Sequence, residues 1–314
     1  MSAPGIHLLL PALRRWPAPW PGDLATALGR ADRVPLAAEA ALAGVFGWAD
    51  VPASAALARL GEGDLAADDI RAHRWLRADP AWIRADINGA RLLGIGPMLR
   101  PDAEDVAAFA DELRVLLAAE QIALDIVHPT RWYLRLPADA ELPRFATPAE
   151  ALGEDAFDHR VEGTDARRWR RLDSEVQISL HQSPRNGARQ AVGLPPINAL
   201  WFWGDAPMPD AARRAIPMLA SDDPLLRGAA RLAMIKPASL PAVWPADGNG
   251  LYDLRGVPAD RLYADWLQPA LHAMRTEGIT MQWICDEGPV FQLDRGQRLR
   301  FWRNALAAAV VETP

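Results

Sequence analysis

The chain has 314 residues, 50% of them hydrophobic, a formal net charge of −6 and a pI near 5.6. That length and apolar content support one large domain or two modest ones and exclude a disordered chain. The acidic balance argues against a dedicated nucleic-acid binder, whose phosphate contacts need a basic surplus.

Cys285 stands alone, which excludes an intramolecular disulfide and a cysteine-based zinc site. It lies in Gln282-Trp-Ile-Cys285, read as a buried strand, so a packed thiol is expected rather than a nucleophile. Lys236 is the only lysine, and 13 tryptophans stand against 7 phenylalanines and 3 tyrosines. Compositional bias of a GC-rich genome accounts for such usage unless position gives it a role.

The first predicted strand is Ile6–Leu10. It is too short for the apolar core of a signal peptide, and Arg14 and Arg15 follow it instead of preceding it. No later stretch reaches the roughly 18 uncharged apolar residues of a spanning helix. A cytoplasmic location and no membrane partner are therefore expected.

Helices are predicted over Asp23–Leu28, Leu36–Phe46 and Ala53–Leu60, giving an α-rich N-terminal part at about residues 23–80. Trp75-Leu-Arg-Ala-Asp79 is echoed seven residues on as Trp82-Ile-Arg-Ala-Asp86. Seven is near two helical turns, a spacing that would place like residues on one helix face, but Pro80 disfavours one continuous helix and the echo is local. Arg91–Ile95 reads as a short strand. Asp102 opens a helix with Val106, Phe109, Leu113 and Leu117 at helical spacing.

Strands are predicted at Ile122–Val127 and Trp132–Leu136, followed by a Pro- and acid-rich surface loop from Pro137 to Gly163. Thr164 or Asp165 is positioned to cap a helix running towards His181, with Trp169, Leu172, Val176 and Leu180 on one face. Asn198–Trp203 reads as a buried strand ending in Gly204-Asp205. After a helix at Asp222–Met234, Asp260–Glu277 reads as a helix stopped by Gly278, then strands at Ile279–Ile284 and Val290–Leu293 and a helix at Leu299–Val310. Helices alternating with apolar strands predict a single α/β domain over residues 1–314, its mainly parallel or mixed central sheet flanked by helices.

The polar residues that carry chemistry concentrate from Trp169 to Asp205. Glu175 and Ser179 are four apart, as are Gln177 and His181, so each pair shares a helical edge that either lines a pocket or faces solvent. Asn186, Arg189 and Asn198 follow, then Trp203 and Asp205 at a strand end, where ligands gather in open α/β sheets. Arg74, Arg77 and Asp79 form a second cluster; a guanidinium fork suits phosphate or carboxylate, and equally an ion pair. There is no P-loop, HExxH, EF-hand or GxSxG pattern, and Gly94-Ile-Gly96 lacks the rest of a dinucleotide fingerprint.

Arg74-Trp-Leu-Arg-Ala-Asp-Pro80, Thr130-Arg-Trp-Tyr-Leu134, Glu175-Val-Gln177 with Leu180-His181 and Asn186, Asn198-Ala-Leu-Trp-Phe-Trp-Gly204, and Leu299-Arg-Phe-Trp-Arg303 carry a resemblance. With them the chain resembles the RpfE-type regulatory proteins, a bacterial family described as related to cofactor-independent phosphoglycerate mutase. The resemblance implies a divergent alkaline-phosphatase-like fold, in which two metal ions held by Asp and His activate a Ser or Thr nucleophile. This chain has Pro11 after Leu8-Leu-Leu10 where a metal-binding Asp is expected, and Asp286-Glu287-Gly288 where an Asp-His-Gly turn is expected. Ser174, Ser179 and Ser183 lie in or beside a helix rather than on a nucleophile turn.

The resemblance thus implies an accessory or regulatory protein with a degenerate mutase-like pocket, no metal cofactor, and an anionic small molecule or a protein as partner. Arg74, Arg77, Arg189 and His181 would donate to the ligand; Glu175, Gln177, Asn186 and Asn198 would orient it or hold the helix to the sheet, and Asp79, Trp203 and Asp205 are further candidates for the pocket. The alternative is an active phosphomutase or phosphohydrolase with divalent ions on a rearranged site of Asp205, Asp286 and His181. A third reading is a Trp- and Arg-lined binder of carbohydrate or aromatic ligands.

Overall fold

In the computed structural model, which describes residues 5–86, 89–245 and 248–306, the chain divides into two compact units where the sequence leads to one domain. The first joins the segment before Pro52 to the segment after Pro209; the second is Pro52–Pro209. The first begins with β1 (Ile6–Leu10), α1 (Gly22–Arg30), β2 (Asp32–Val34) and α2 (Ala38–Val45). The second contains α3 (Ala55–Glu62), α4 (Ala67–Arg71), β3 (Arg74–Asp86), β4 (Gly89–Ile95) and α5 (Ala103–Ala119). It continues with β5 (Ala123–His128), β6 (Arg131–Leu136), α6 (Pro148–Ala151), α7 (Ala166–Gln182), α8 (Pro184–Ala191) and β7 (Ala199–Trp203). The first unit resumes with β8 (Leu219–Ala220), α9 (Pro224–Leu232), β9 (Pro237–Ala238) and β10 (Gly250–Asp253). It closes with α10 (Ala259–Arg261), a π turn at Leu262–Leu267, α11 (Gln268–Glu277), β11 (Met281–Cys285) and β12 (Val290–Leu293).

The first unit is a mixed seven-stranded sheet in the order β2-β12-β11-β1-β10-β8-β9, with β1 parallel to both β10 and β11. Both faces are covered, which is why β1 is an unbroken apolar run rather than an alternating one. Ile6, Leu8 and Leu10 join a cluster with Trp16, Tyr252, Trp266 and Trp283, while Leu9 packs on the opposite side with Leu42, Phe46 and Ile284. The α/β class with a mixed sheet flanked by helices is thus the observed fold. Cys285 is fully buried on β11, and burial pushes its thiol well above the usual range, as a packed cysteine requires.

The second unit holds an antiparallel sheet in the order β4-β3-β6-β5, with β7 also pairing β3. Here the sequence reading needs correction: the α-rich part ends at Arg71, and the echoed segment is the 13-residue strand β3 rather than a helix. On a period of two, a shift of seven places echoed residues on opposite faces. Arg77 is accordingly buried and Arg84 exposed, and Leu76, Ala78 and Trp82 face the core that Trp75 and Arg77 do not. Two further departures concern ends. Asp165 starts α7 at φ 60 with no side-chain cap bond, its carboxylate taken instead by Arg168. At the other end, Arg295–Leu299 is a 3-10 turn and the chain is non-helical to Leu306; the rest of the expected helix to Val310 lies outside the described residues.

Candidate functional site

Three places gather polar side chains. One is the edge of the first unit's sheet formed by the carboxyl ends of its parallel strands, where open α/β sheets bind ligands. Strand register sets Leu9 beside Asp253 and Leu10 beside Cys285, so Pro11, Leu254 and Asp286 emerge together; Leu254 N–H donates to the Leu9 carbonyl and Asp286 N–H to that of Leu10. Arg255 reaches both Asp253 oxygens at 2.9 and 2.8 Å and Asp223 at 2.8 Å, and the Ser221 hydroxyl donates to Asp253 at 2.8 Å. Burial raises the Asp253 carboxyl, but hydrogen bonding and charge from Arg255 outweigh it and leave Asp253 below the usual range. Glu287 pairs with Arg14, which lowers it. Asp253, Arg255 and Ser221 escape sequence reading because β10 is only four residues long and lies among glycines, inside what reads as a connection.

The other two places are hollows in the second unit. A cavity of about 290 Å³ is lined by Arg71, His73, Arg74, Trp75 and Asp205 among others. It brings together two predicted residues, Arg74 from the start of β3 and Asp205 from the end of β7. Gly204 precedes Asp205 at φ +86, and a Cβ there would lie 2.9 Å from Ala55 N, so the turn that delivers Asp205 demands glycine. Asp205 accepts from Phe145 N–H at 3.3 Å, and the Arg71 guanidinium donates to the Pro209 carbonyl. Arg74 makes no side-chain hydrogen bond or ion pair among the described residues.

The larger cavity, about 400 Å³, lies between α7, β7 and the segment from Phe145 to Val161. That segment reads as a surface loop, yet Phe145 is buried edge-on against Trp169 at 5.0 Å, and Ala151 is fully buried. Asp173 and Gln177, four apart on α7, face the cavity, and Gln177 Nε2 donates to Asp173 Oδ2 at 2.8 Å. Burial pushes the Asp173 carboxyl up to about 6 against the opposing bond from Gln177. His159, Arg160, Arg170 and Ser174 add to its polar lining and Phe145, Phe157, Trp201 and Phe202 to its aromatic one, and of the predicted residues only Gln177 is among them. The four-residue spacing of Asp173 and Gln177 was the available signal.

A raised carboxyl means the folded state binds a proton more tightly than the unfolded chain. Its stabilising contribution is full below the ordinary 3.8 and is lost as pH rises through about 6. Asp173→Asn, which mimics the protonated form, should therefore be more stable than the parent by about 1–2 kcal/mol at pH 8 and equal to it near pH 4. Urea titrations at the two pH values measure this; a difference independent of pH would refute it.

Most of the remaining predicted residues are held by protein partners. Arg77 and Asp79 form a buried pair at 2.6 Å, with Trp203 Nε1 donating to Asp79 at 2.9 Å and the Arg77 guanidinium 4.8 and 5.3 Å from the rings of Tyr133 and Trp203. Arg189 is buried and spent on Asp105 and on the carbonyls of Leu99 and Pro195. Asn186 bonds to the Leu180 carbonyl and to both polar groups of Ile197, tying α8 to the chain entering β7. Asn198 does the same to Ile83 N–H and C=O, extending the pairing of β7 with β3. Glu175 is exposed and 3.7 Å from Arg171, and His181 is exposed at the end of α7. Arg77, Asp79, Arg189 and Trp203 are thus occupied by protein partners instead of the ligand contacts expected of them, while Asn186 and Asn198 take the holding role that was one of the two expected of them.

Among the described residues, no group of three or more His, Cys, Asp and Glu is placed to hold a metal ion. Asp286 belongs to the first unit, and Asp205 and His181 to the second.

Comparison with known proteins finds no matching family model. A 2,3-bisphosphoglycerate-independent phosphoglycerate mutase of Methanothrix thermoacetophila is 26% identical over 111 residues, 35% of this chain; the match spans only 28% of that relative. Among solved structures, the PH0037 protein of Pyrococcus horikoshii shares the fold, with a TM-score of 0.52 and 13% identity over 98% of this chain and 92% of that one. The cofactor-independent phosphoglycerate mutase of Thermoplasma acidophilum gives 0.43 and 14%, covering 99% and 96%. The partial sequence match is thus to a phosphoglycerate mutase, and the likeness to PH0037 shows a shared fold. No helix among the described residues is long and apolar enough to cross a membrane.

Proposed function

We propose that this chain is an RpfE-type accessory or regulatory protein on a phosphoglycerate-mutase-like scaffold whose phosphotransfer centre is degenerate, and that it binds an anionic metabolite at the Arg74 hollow. The observation that carries the degenerate reading is Arg255. Its guanidinium spans Asp223 and Asp253 at the sheet edge, and Ser221 donates its proton to the same Asp253. A two-metal mechanism needs free carboxylates to hold cations at the attacking and leaving oxygens. Here those carboxylates already bind a permanent organic cation, β1 leads into Pro11, and Glu287 faces Arg14. The donor set does not fit two metal ions.

The anion reading is supported by the lining of the smaller hollow. Arg71, Arg74 and His73 face one carboxylate, Asp205, and Arg74 keeps its donor fork unspent. Purified protein supplied with Mn²⁺ or Zn²⁺ should retain neither ion stoichiometrically and should neither interconvert phosphoglycerates nor hydrolyse phosphomonoesters. Calorimetry with 3-phosphoglycerate should show binding that Arg74→Ala weakens by about tenfold, the loss of one charge-assisted contact. Turnover abolished by Asp286→Ala would replace this reading with the enzymatic one, and binding indifferent to Arg74 would remove the anion site.

A further inference from the structure

The larger cavity of the second unit plays no part in the function proposed above, yet it holds unspent hydrogen-bonding capacity. Asp173 is half-buried in the cavity wall and accepts a single hydrogen bond, from Gln177. Because the Gln177 amide nitrogen is turned to Asp173, its Oε1 is left as an acceptor, and neither it nor Asp173 Oδ1 meets a donor among the described residues. Lone pairs left over on a cavity wall can receive the donors of a ligand. Two neighbouring acceptors on one helical edge match a planar edge that offers adjacent N–H donors.

The rest of the lining fits such a group. Trp201 lines the same cavity with its indole N–H fixed on the Ala146 carbonyl at 2.9 Å, which leaves the ring as an apolar surface of set orientation. Arg160 is held 4.1 Å from the ring of Phe157 and makes no guanidinium hydrogen bond among the described residues. Arg170 donates through one nitrogen to the Val161 carbonyl at 2.7 Å and keeps its other donors. Two arginines in a cavity with one carboxylate leave positive charge for an anionic group. A volume of about 400 Å³ lies in the range of small-molecule sites that combine apolar walls with a few convergent polar groups.

We propose that this cavity binds a planar nitrogen heterocycle bearing an anionic group, with its adjacent N–H donors on Asp173 and Gln177, its ring against Trp201 and its anion on Arg160 and Arg170. A guanine nucleotide has this chemistry: its ring N–H and exocyclic amine are neighbouring donors. Adenine presents a ring acceptor where the second donor is needed and would face the Asp173 oxygen unpaired.

Calorimetry on the full chain at pH 7.5 tests the assignment with guanosine 5′-monophosphate, adenosine 5′-monophosphate, guanosine and ribose 5-phosphate. The guanine nucleotide should bind at least tenfold more tightly than the other three. Asp173→Asn should lower its affinity about tenfold and erase the preference over adenine, while Arg160→Ala with Arg170→Ala should reduce it to that of guanosine. Circular dichroism melts establish that each variant is folded, and Gln177→Ala, which leaves the carboxylate in place, provides a milder second variant. Absence of binding by the guanine nucleotide at millimolar concentration, equal affinity for adenine, or affinity indifferent to the Asp173 and Gln177 variants would overturn the proposal. Binding lost in Arg74→Ala but retained in the Asp173 and Arg160 variants would place the ligand in the other hollow.

Discussion

Replacing Asp105 with alanine should destabilise the second unit by about 3–5 kcal/mol, the cost of leaving a buried ion without its partner. Asp105 and Arg189 have fully buried side chains, and Arg185 donates to the second Asp105 oxygen at 2.6 Å. The same carboxylate accepts the Asp102 N–H in the capping box that starts α5, so one residue neutralises two arginines of α8 and fixes a helix end. Arg189→Met should cost less, because Asp105 keeps Arg185 and the cap. Combining the two substitutions should recover part of the loss, since the double variant buries no uncompensated charge. Chemical denaturation of the four proteins measures the coupling, and a single-variant loss below about 1 kcal/mol would exclude a buried ion pair.

That pair also explains how the sequence misleads about function. Arg189, Asn186 and Asn198 are polar residues crowded before a strand, a pattern shared by ligand pockets and by structural latches. Whether they meet a ligand or Asp105, Ile197 and Ile83 depends on partners up to 115 positions away, which local spacing does not encode. Elements with strong periodic signals were legible: α5, α7 and the α11–β11 unit lie where predicted, within a few residues. β3 was not, since Trp-Leu-Arg-Ala-Asp repeated at seven suits a helix and gives no strand alternation until the burial of Arg77 and Asp79 is known. The helix α8 was missed despite the Ser183-Pro184 start, where the serine side chain accepts from Arg185 N–H. The candidate site was legible only in outline: the segment from Trp169 to Asp205 does line both hollows of the second unit, but chiefly through Arg170, Asp173, Ser174 and Trp201 rather than through the residues whose polarity first drew attention.

The second large effect is expected at Asp79, where alanine should again cost about 3–5 kcal/mol, whereas asparagine should cost clearly less. Asp79 accepts from Arg77 Nε at 3.1 Å and Nη2 at 2.6 Å, from the Trp203 indole at 2.9 Å and from Trp132 N–H at 3.4 Å. Burial holds its carboxyl above the usual range against the opposing pull of Arg77, the Trp203 indole and Trp132 N–H. Alanine leaves Arg77 buried near the rings of Tyr133 and Trp203 with no anion in contact, and frees the Trp203 indole that fixes the end of β7. Asparagine keeps one oxygen for either Arg77 or the indole and sets an NH2 donor against the other, so it loses the charge and one acceptor but not both. The ranking of Ala below Asn therefore separates a structural ion pair from a ligand site: a binding role would show as lost affinity for 3-phosphoglycerate with little change in unfolding free energy. Because Trp203 precedes the Gly204-Asp205 turn, the alanine variant should also loosen Asp205, and its 3-phosphoglycerate affinity should fall along with its stability, while Asp79→Asn should lose less of both.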